Sequence, residues 1–432
     1  SLPFTLTDGQ RTACAEIDAD LASGRPMQRL LMGEVGSGKT AVALYAMLRA
    51  VEGGQQAALM APTETLAEQH AQTVDLLLAG STIPFTLITG STRAASRRDA
   101  LARLATGELA LVVGTHALIE PDVEFARLAL CVVDEQHRFG VRQRAALDAK
   151  GAEGIVPHAL HMTATPIPRT LALTAYGDLD VTILRELPAG RRPVETYVVD
   201  GARARARAYE RIREEIAKGR QCFVVCPLVE ESETLQAKAA TAEAERLAAT
   251  EFRDERVELI HGQMPTKRKQ EAMAAFAAGE ADVLVATSVI EVGIDVPNAT
   301  VMLIEAAERY GISQLHQLRG RIGRGEHESV CILFGDPSLP RLEAVSRERD
   351  GFKLAEVDLR IRGAGEVLGT RQHGMPEFKV ARLPEDVILL ERARERASEL
   401  LSADPRLEQP ENALLREATV ARFGSDMDPI PA

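Results

Sequence analysis

Eight residues do most to restrict what this chain can become: Gly33-Glu34-Val35-Gly36-Ser37-Gly38-Lys39-Thr40. They follow the apolar run Leu30-Leu31-Met32 and open an amphipathic stretch, Thr40–Val51. The pattern is G-x-x-x-x-G-K-[ST], which between a strand and a helix turns backbone N–H groups toward phosphate. Glycine lets the backbone fold that tightly, and the helix N-terminus adds a favourable dipole. Lys39 is placed to reach terminal phosphates and Thr40 to offer an oxygen to Mg²⁺. Gly33, Gly36, Ser37, Gly38, Lys39 and Thr40 are therefore candidate nucleotide contacts.

Such a loop needs a parallel sheet with crossover helices. The chain supplies the pattern twice. From Met27 to about Leu184, apolar runs such as Ala57-Ala58-Leu59-Met60, Leu109–Val113 and Leu130–Val133 alternate with the helical stretches Thr65–Leu78 and Thr92–Ala105. After Pro188-Ala189-Gly190-Arg191-Arg192-Pro193 the rhythm restarts with Cys222–Cys226, Val257–Ile260, Val283–Ala286, Val301–Ile304 and Val330–Phe334. Continuous apolar strands separated by helices predict two doubly wound α/β domains of parallel sheet. The expected boundaries are 1–192, 193–345 and 346–432, with a hinge near 188–196. The last region is read as a small helical and loop extension: a polar Gly-rich stretch over 351–377, a charged helix from Glu385 to about Leu401, and a loosely packed tail. Residues 235–252, rich in Ala and Glu, are expected to form a solvated helix, and no short internal repeat is visible.

A phosphate loop of this kind also needs an acid for the metal. Asp134-Glu135-Gln136-His137 follows the strand Leu130–Val133, at the carboxyl end where doubly wound sheets place ligands. Asp134 is expected to hold Mg²⁺ through water, and Glu135 to orient and deprotonate the attacking water. In the second half, Arg321 and Arg324 are spaced i, i+3, so on a helix they share one face. An arginine reaching across a cleft can neutralise a transferring phosphoryl group. At least one of the two is read as such a finger, the other as holding the domain interface.

The formal net charge is −12 and the aromatic content 4%, with no Trp. The acidic total argues against nucleic acid as a whole-surface partner, yet a binding groove is a local property. A surface built of many stacked aromatics is not expected. No apolar stretch approaches the ~20 residues that span a bilayer, so no membrane partner is expected. Five cysteines are too few for a disulfide scaffold, which makes the cytoplasm the expected compartment. Cys222 and Cys226 lie on one apolar strand and read as buried thiols rather than zinc ligands. His158 and His161 read as structural.

Taken in order, the motifs give the chain a resemblance to the superfamily 2 helicases and translocases, over nearly its whole length. That family has two tandem RecA-like domains and hydrolyses ATP with Mg²⁺ on nucleic acid. Ala61–His70 is similar to the family's motif Ia, which implies backbone contacts at Pro62 and Thr63. Thr89-Gly90-Ser91 and Gly114-Thr115-His116 resemble further strand-contacting loops, implicating Gly90, Ser91, Thr115 and His116. Thr163-Ala164-Thr165-Pro166 looks like motif III, which makes Thr163 and Thr165, with His137, coupling residues. Ala286–Asp295 looks like motif V, implying nucleic-acid contact at Thr287 and nucleotide contact at Gly293 and Asp295. Gln314–Gly325 looks like motif VI. Phe4 and Gln10 sit where family members read adenine.

Two extensions narrow the resemblance: Arg138–Arg144 after the acidic box and Ile167–Leu171 after motif III. Both are similar to the RecG branch-migration helicases and to their relative, the transcription-repair coupling factor, which more often has Glu where this chain has Gln136. The segment Gly351–Gly374 resembles the translocation motif those two groups share, with Arg362, Arg371 and Gln372 as groups for phosphate or for motif VI. The resemblance favours RecG. It implies a duplex DNA translocase that remodels stalled forks and Holliday junctions in recombination and repair. It also implies a monomer, with a single-stranded DNA-binding protein as partner of the full-length protein. Because the chain starts at Ser1 without Met, it is expected to be a processed product or an excised fragment. The resemblance covers only the motor part of the family and implies that the N-terminal wedge domain is lacking. The alternatives are a coupling-factor-like motor and a nucleic-acid-binding module without turnover. Intact Lys39, Thr40, Asp134, Glu135, Arg321 and Arg324 argue against the second.

Overall fold

The computed structural model describes residues 5–135, 150–151, 156–166, 179–186, 193–226, 233–291, 296–362 and 386–423. Their strands form two sheets in which every pairing is parallel. The first holds β1 (Gln28–Gly33), β2 (Gln56–Met60), β3 (Phe85–Ile88), β4 (Leu111–Gly114), β5 (Leu128–Val133), β6 (His158–Thr163) and β7 (Asp180–Leu184), in the order 3-4-2-5-6-1-7. The second holds β8 (Val194–Val199), β9 (Gln221–Val225), β10 (Val257–Ile260), β11 (Val283–Ala286), β12 (Ala299–Ile304) and β13 (Ser329–Phe334), in the order 10-11-9-12-13-8. The expected two α/β domains are present. Six strands of the first sheet and all of the second follow one spatial plan, so the chain is duplicated at the level of fold.

The central strands are apolar along their length because helices cover both faces. Every residue of β2, β9 and β12 is buried. In the first domain α1 (Asp8–Leu21), α2 (Lys39–Glu52), α3 (Glu64–Leu77) and α4 (Ala94–Ala105) lie between or before strands. In the second, α5 (Ala202–Ile216), α6 (Glu233–Ala249), α7 (Thr266–Ala277) and α8 (Ile312–Arg319) do the same. Both ends of α1 are anchored. Thr7 and Gln10 form a capping box at its start. Toward its end Glu16 and Asp20 pair with Arg29 of β1, which is 8% exposed and also bonds Thr182 of β7. A charge buried near the start of a central strand is tolerated only with such partners.

Several expectations need correction. The stretch read as a Gly-rich loop from 351 begins with a helix, α10 (Gly351–Arg362), which follows α9 (Pro340–Arg347). Phe352, Ala355 and Leu359 are buried on it at spacings of three and four, a helical stripe that Gly351 and the flanking charges obscure. The helix over 235–252 is not solvated all round: Ala237, Ala240, Ala244 and Leu247 of α6 enter the core. The charged helix falls at α11 (Val387–Ala403), and the supposed tail contains α12 (Ala413–Phe423). The hinge near 188–196 overlaps β8, whose Val194 pairs with Ser329. The five cysteines are free and buried, and burial pushes the Cys226 thiol up to about 12. No described helix is long and apolar enough to cross a membrane.

The duplication reaches one side chain. Gln56, at the start of β2, donates through Nε2 to the Leu104 and Leu109 carbonyls at 2.9 and 2.8 Å. Gln221, at the start of β9, donates to the Phe276 and Ala281 carbonyls at 2.5 and 2.7 Å. Each buried amide ties the helix before the neighbouring strand to its own sheet. Gln221→Leu leaves two buried carbonyls without that donor, so it should lower unfolding stability by about 1–3 kcal/mol, read from the urea midpoint. Gln56→Leu should do the same in the first domain.

Candidate functional site

The phosphate loop joins β1, flanked by β6 and β7, to α2. Gly36 and Gly38 have φ of 85° and 84°, a region that disfavours any side chain. At Gly38 a Cβ would also lie 2.2 Å from Nε2 of Gln10. Gln10, expected to read adenine, is buried against the loop, and its Nε2 donates to the Ser37 carbonyl at 2.9 Å. Among the described residues the buried Ser37 hydroxyl has no hydrogen-bond partner. Lys39 Nζ donates to the carbonyls of Gly33 and Glu34 at 2.7 and 3.0 Å. Burial is the largest influence on Lys39 and lowers its pKa to about 8, against the opposing pull of Asp134 and Glu135. A cationic group enclosed in this way is ready for an anion.

Asp134 follows β5 and is buried. Burial works to raise its pKa, but the His70 hydrogen bond and the nearby Lys39 charge outweigh it and leave the carboxyl below its ordinary range. His70 Nε2 lies 2.7 Å from Asp134 Oδ2. That pairing was not read from the sequence, where His70 appeared only as the end of the motif Ia stretch. Glu135 adopts φ of 50°, a left-handed conformation that costs a non-glycine residue about 1–3 kcal/mol and is typical of functional sites. Its carboxylate accepts from the Thr163 hydroxyl at 3.4 Å, Thr163 Oγ1 accepts from the Thr165 amide at 3.1 Å, and Gln317 Nε2 donates to Thr165 Oγ1 at 2.7 Å. The two threonines expected to couple thus join Glu135 to α8 of the second domain.

Arg321 and Arg324 do not share a helix face, because α8 ends at Arg319 and Gly320 caps it. They lie on the following turn, where Gly323 has φ of 74°. The turn still delivers both to one cavity of about 280 Å³, lined also by Gly36, Lys39, Thr40, Asp134 and Glu135. The lining suits a triphosphate with a hard cation: an ammonium, two arginines and loop amides for phosphate, and hydroxyl and carboxylate oxygens for the cation. The uncommitted Ser37 hydroxyl and the glycines that admit no Cβ fit that ligand.

Thr63, Gly90, Ser91 and His116 are exposed on loops that follow β2, β3 and β4, at the carboxyl edge of the first sheet, and Pro62 beside them is half-buried. Glu64 links two of these loops by accepting the Ser91 amide at 2.9 Å. Thr115 and Thr287 are buried, Thr115 as the residue that starts a 3₁₀ turn. Phe4, His137, Gly293, Asp295, Arg371 and Gln372 lie outside the described residues, and of Arg362 only the helical backbone is described.

Three families match the chain. They are DEAD/DEAH box helicase over residues 7–174, helicase conserved C-terminal domain over 207–326, and ATP-dependent DNA helicase RecG, domain 3, C-terminal, over 348–420. The ATP-dependent DNA helicase RecG of Synechocystis is 52% identical over 94% of this chain and 49% of its own length. That of Bacillus subtilis is 47% identical over 96% of this chain and 61% of its own. The chain thus spans about half to three fifths of these relatives. A solved structure of RecG bound to a three-way DNA junction is 44% identical, with a TM-score of 0.75, and aligns with 90% of this chain and 51% of that one.

The depressed Lys39 pKa has a sign that can be measured. Between pH 8 and 10.5 the unfolded chain holds a proton that native Lys39 has released. Stability therefore rises with pH across that window relative to Lys39→Met, by at most about 3 kcal/mol. Denaturant titrations of both proteins at the two pH values check it.

Proposed function

We propose that this chain, which belongs to the RecG family of ATP-dependent DNA helicases, is an ATP-hydrolysing motor that moves along duplex DNA and remodels branched junctions. The observation that carries the reading is the shared cavity, in which Lys39, Asp134 and Glu135 of one domain meet Arg321 and Arg324 of the other. Lys39 exchanges two carbonyls for the terminal phosphates of ATP. Thr40 and Asp134 would hold Mg²⁺, which when bound neutralises phosphate charge. Glu135 orients a water and takes its proton, with Asp134 kept ionised by His70. The arginines stabilise charge on the transferring phosphoryl group, so the site is complete only when the domains meet. Thr163, Thr165 and Gln317 give a path by which loss of the γ-phosphate beside Glu135 is felt by the second domain. DNA backbone contact is assigned to the loops bearing Pro62, Thr63, Gly90, Ser91, Thr115, His116 and Thr287. Gln10 and Phe4 are assigned to the adenine. A monomeric motor, a cytoplasmic setting and a single-stranded DNA-binding protein as partner of the full-length protein rest on the family resemblance. The match over 348–420 favours RecG above the coupling-factor alternative.

Lys39→Ala should abolish turnover, whereas Glu135→Gln should bind ATP and hold it. Arg321→Ala or Arg324→Ala should slow hydrolysis by about 10³-fold or more at whichever arginine is the finger. Single-turnover hydrolysis with a separate nucleotide-binding assay distinguishes these outcomes. Normal turnover by Lys39→Ala would refute the assignment.

DNA affinity should fall steeply with salt despite the net charge of −12. Each phosphate contact removed should flatten the log–log slope by about 0.7–0.9. Titrations at several salt concentrations measure the slope, and salt-insensitive binding would contradict a backbone-gripping motor.

A further inference from the structure

Glu34 is the second residue of the phosphate loop, a position the loop pattern leaves open, and it does not line the cavity. Its Oε1 accepts the amide of Gly351, the first residue of α10, at 2.7 Å. The same oxygen lies 3.5 Å from Nε2 of His316 on α8. His316 Nδ1 in turn lies 2.8 Å from Nη2 of Arg319. A guanidinium has no acceptor, so Nδ1 must accept, and the neutral ring then carries its proton on Nε2, toward Glu34. Buried Arg319 also donates to the carbonyls of Val345, Glu348 and Arg349 at 2.8, 2.9 and 3.2 Å. The contacts close a ring from the phosphate loop through His316, Arg319 and the segment before α10 back to Gly351.

The ring is tightly packed. A Cβ at Gly351 would lie 2.5 Å from His316 Nε2 and 2.8 Å from Pro166 of the motif III loop. Phe352, next in α10, is buried against Leu30, Met32 and Leu179 of the first domain. The start of α10 is therefore held at once by β1, the phosphate loop, the motif III loop and α8. Glu34 is the member of this junction that belongs to the loop itself. Its carbonyl is one of the two that hold Lys39. When Lys39 turns to phosphate, the Glu34 peptide loses that bond, and its side chain is fixed to α10.

We propose that Glu34 is a positioning residue that transmits the occupancy of the phosphate loop to α10, through the Gly351 amide, and to the arginine turn, through His316. The inference rests on the ATP-motor reading and adds to it a direct link from the loop to the region beyond the second domain. That link bypasses Glu135. It acts at nucleotide binding, before any bond to the γ-phosphate is broken.

The test is amide hydrogen exchange over residues 350–354 of the full chain, with and without a non-hydrolysable ATP analogue, alongside binding of a fluorescent analogue. In the wild type the analogue should shift exchange of the Gly351 amide by at least about threefold. In Glu34→Ala that amide should exchange about tenfold faster without nucleotide, and the analogue, still bound, should leave it unchanged. Glu34→Gln, whose amide oxygen still accepts, should restore the response. Should Glu34→Ala fail to fold, Gly351→Ala displaces the same junction from its far side and should also bind the analogue without the shift. A response that persists in either Ala variant overturns the proposal. So does a wild type that binds the analogue with no change at 350–354, or a Glu34→Ala protein that folds and cannot bind, since Glu34 would then serve the cavity. A wild type that binds no analogue would instead overturn the motor reading itself.

Discussion

The structure turns on a half-buried ammonium group at the edge of a cavity. Lys39 is held by two backbone carbonyls, which are weak partners for a full charge. Its lowered pKa expresses how poorly that arrangement compensates the lost water. A polyphosphate bound there, as the proposed function requires, would remove the deficit. The loop glycines, Gln10 packed beneath them and the ionised Asp134 all serve to keep this site open and polarised. Because Arg321 and Arg324 complete the same cavity from the second domain, relief of that deficit is tied to where the second domain sits.

The duplicated fold makes such a shared site easy to build. Within each sheet all strands run in the same sense, and both use a buried glutamine, Gln56 or Gln221, to lock the helix beside their third strand. Only the first carries a phosphate loop, after β1. The corresponding β8 of the second sheet leads instead into Asp200-Gly201 and α5, whose start lacks the Gly-Lys-Thr signature. The second domain contributes arginines where the first contributes the loop. The domains meet further at Gln270 and Glu68, 3.1 Å apart, and at Gln317 and Thr165. Beyond the second sheet, Arg394 of α11 donates to the Leu179 carbonyl at 2.7 Å and returns the chain to the first domain.

What the sequence revealed follows its physical periodicities. Strands buried on both faces read as continuous apolar runs, so Leu130–Val133 and Val283–Ala286 were legible without the fold. The turn between β1 and α2 was legible because G-x-x-x-x-G-K-[ST] is a fixed spacing between a strand and a helix. His70 beside Asp134 was not, since 64 residues separate them and only the order of β2 and β5 brings them together. The helix assumed for Arg321 and Arg324 failed at Gly320 and Gly323, which end α8 and turn the chain while still aiming both side chains at the cavity. The start of α10 was hidden by composition: glycine and charge suggested a loop, and the buried stripe of Phe352, Ala355 and Leu359 becomes apparent only against its neighbours. Glu34 occupied an unspecified position of a known pattern, and its partners His316 and Gly351 lie about three hundred residues further along the chain.

One nucleotide site shared by two domains should draw them together when it fills. The native cysteines are buried, so a spin-label pair can be placed at exposed positions by Glu52→Cys and Lys218→Cys. Pulsed electron resonance then reads the distance between the domains in the free chain and with a non-hydrolysable ATP analogue. A site shared by the two domains should give a shorter and narrower distribution with the analogue, lost in Lys39→Ala. An unchanged distribution in a protein shown to have bound the analogue would contradict it.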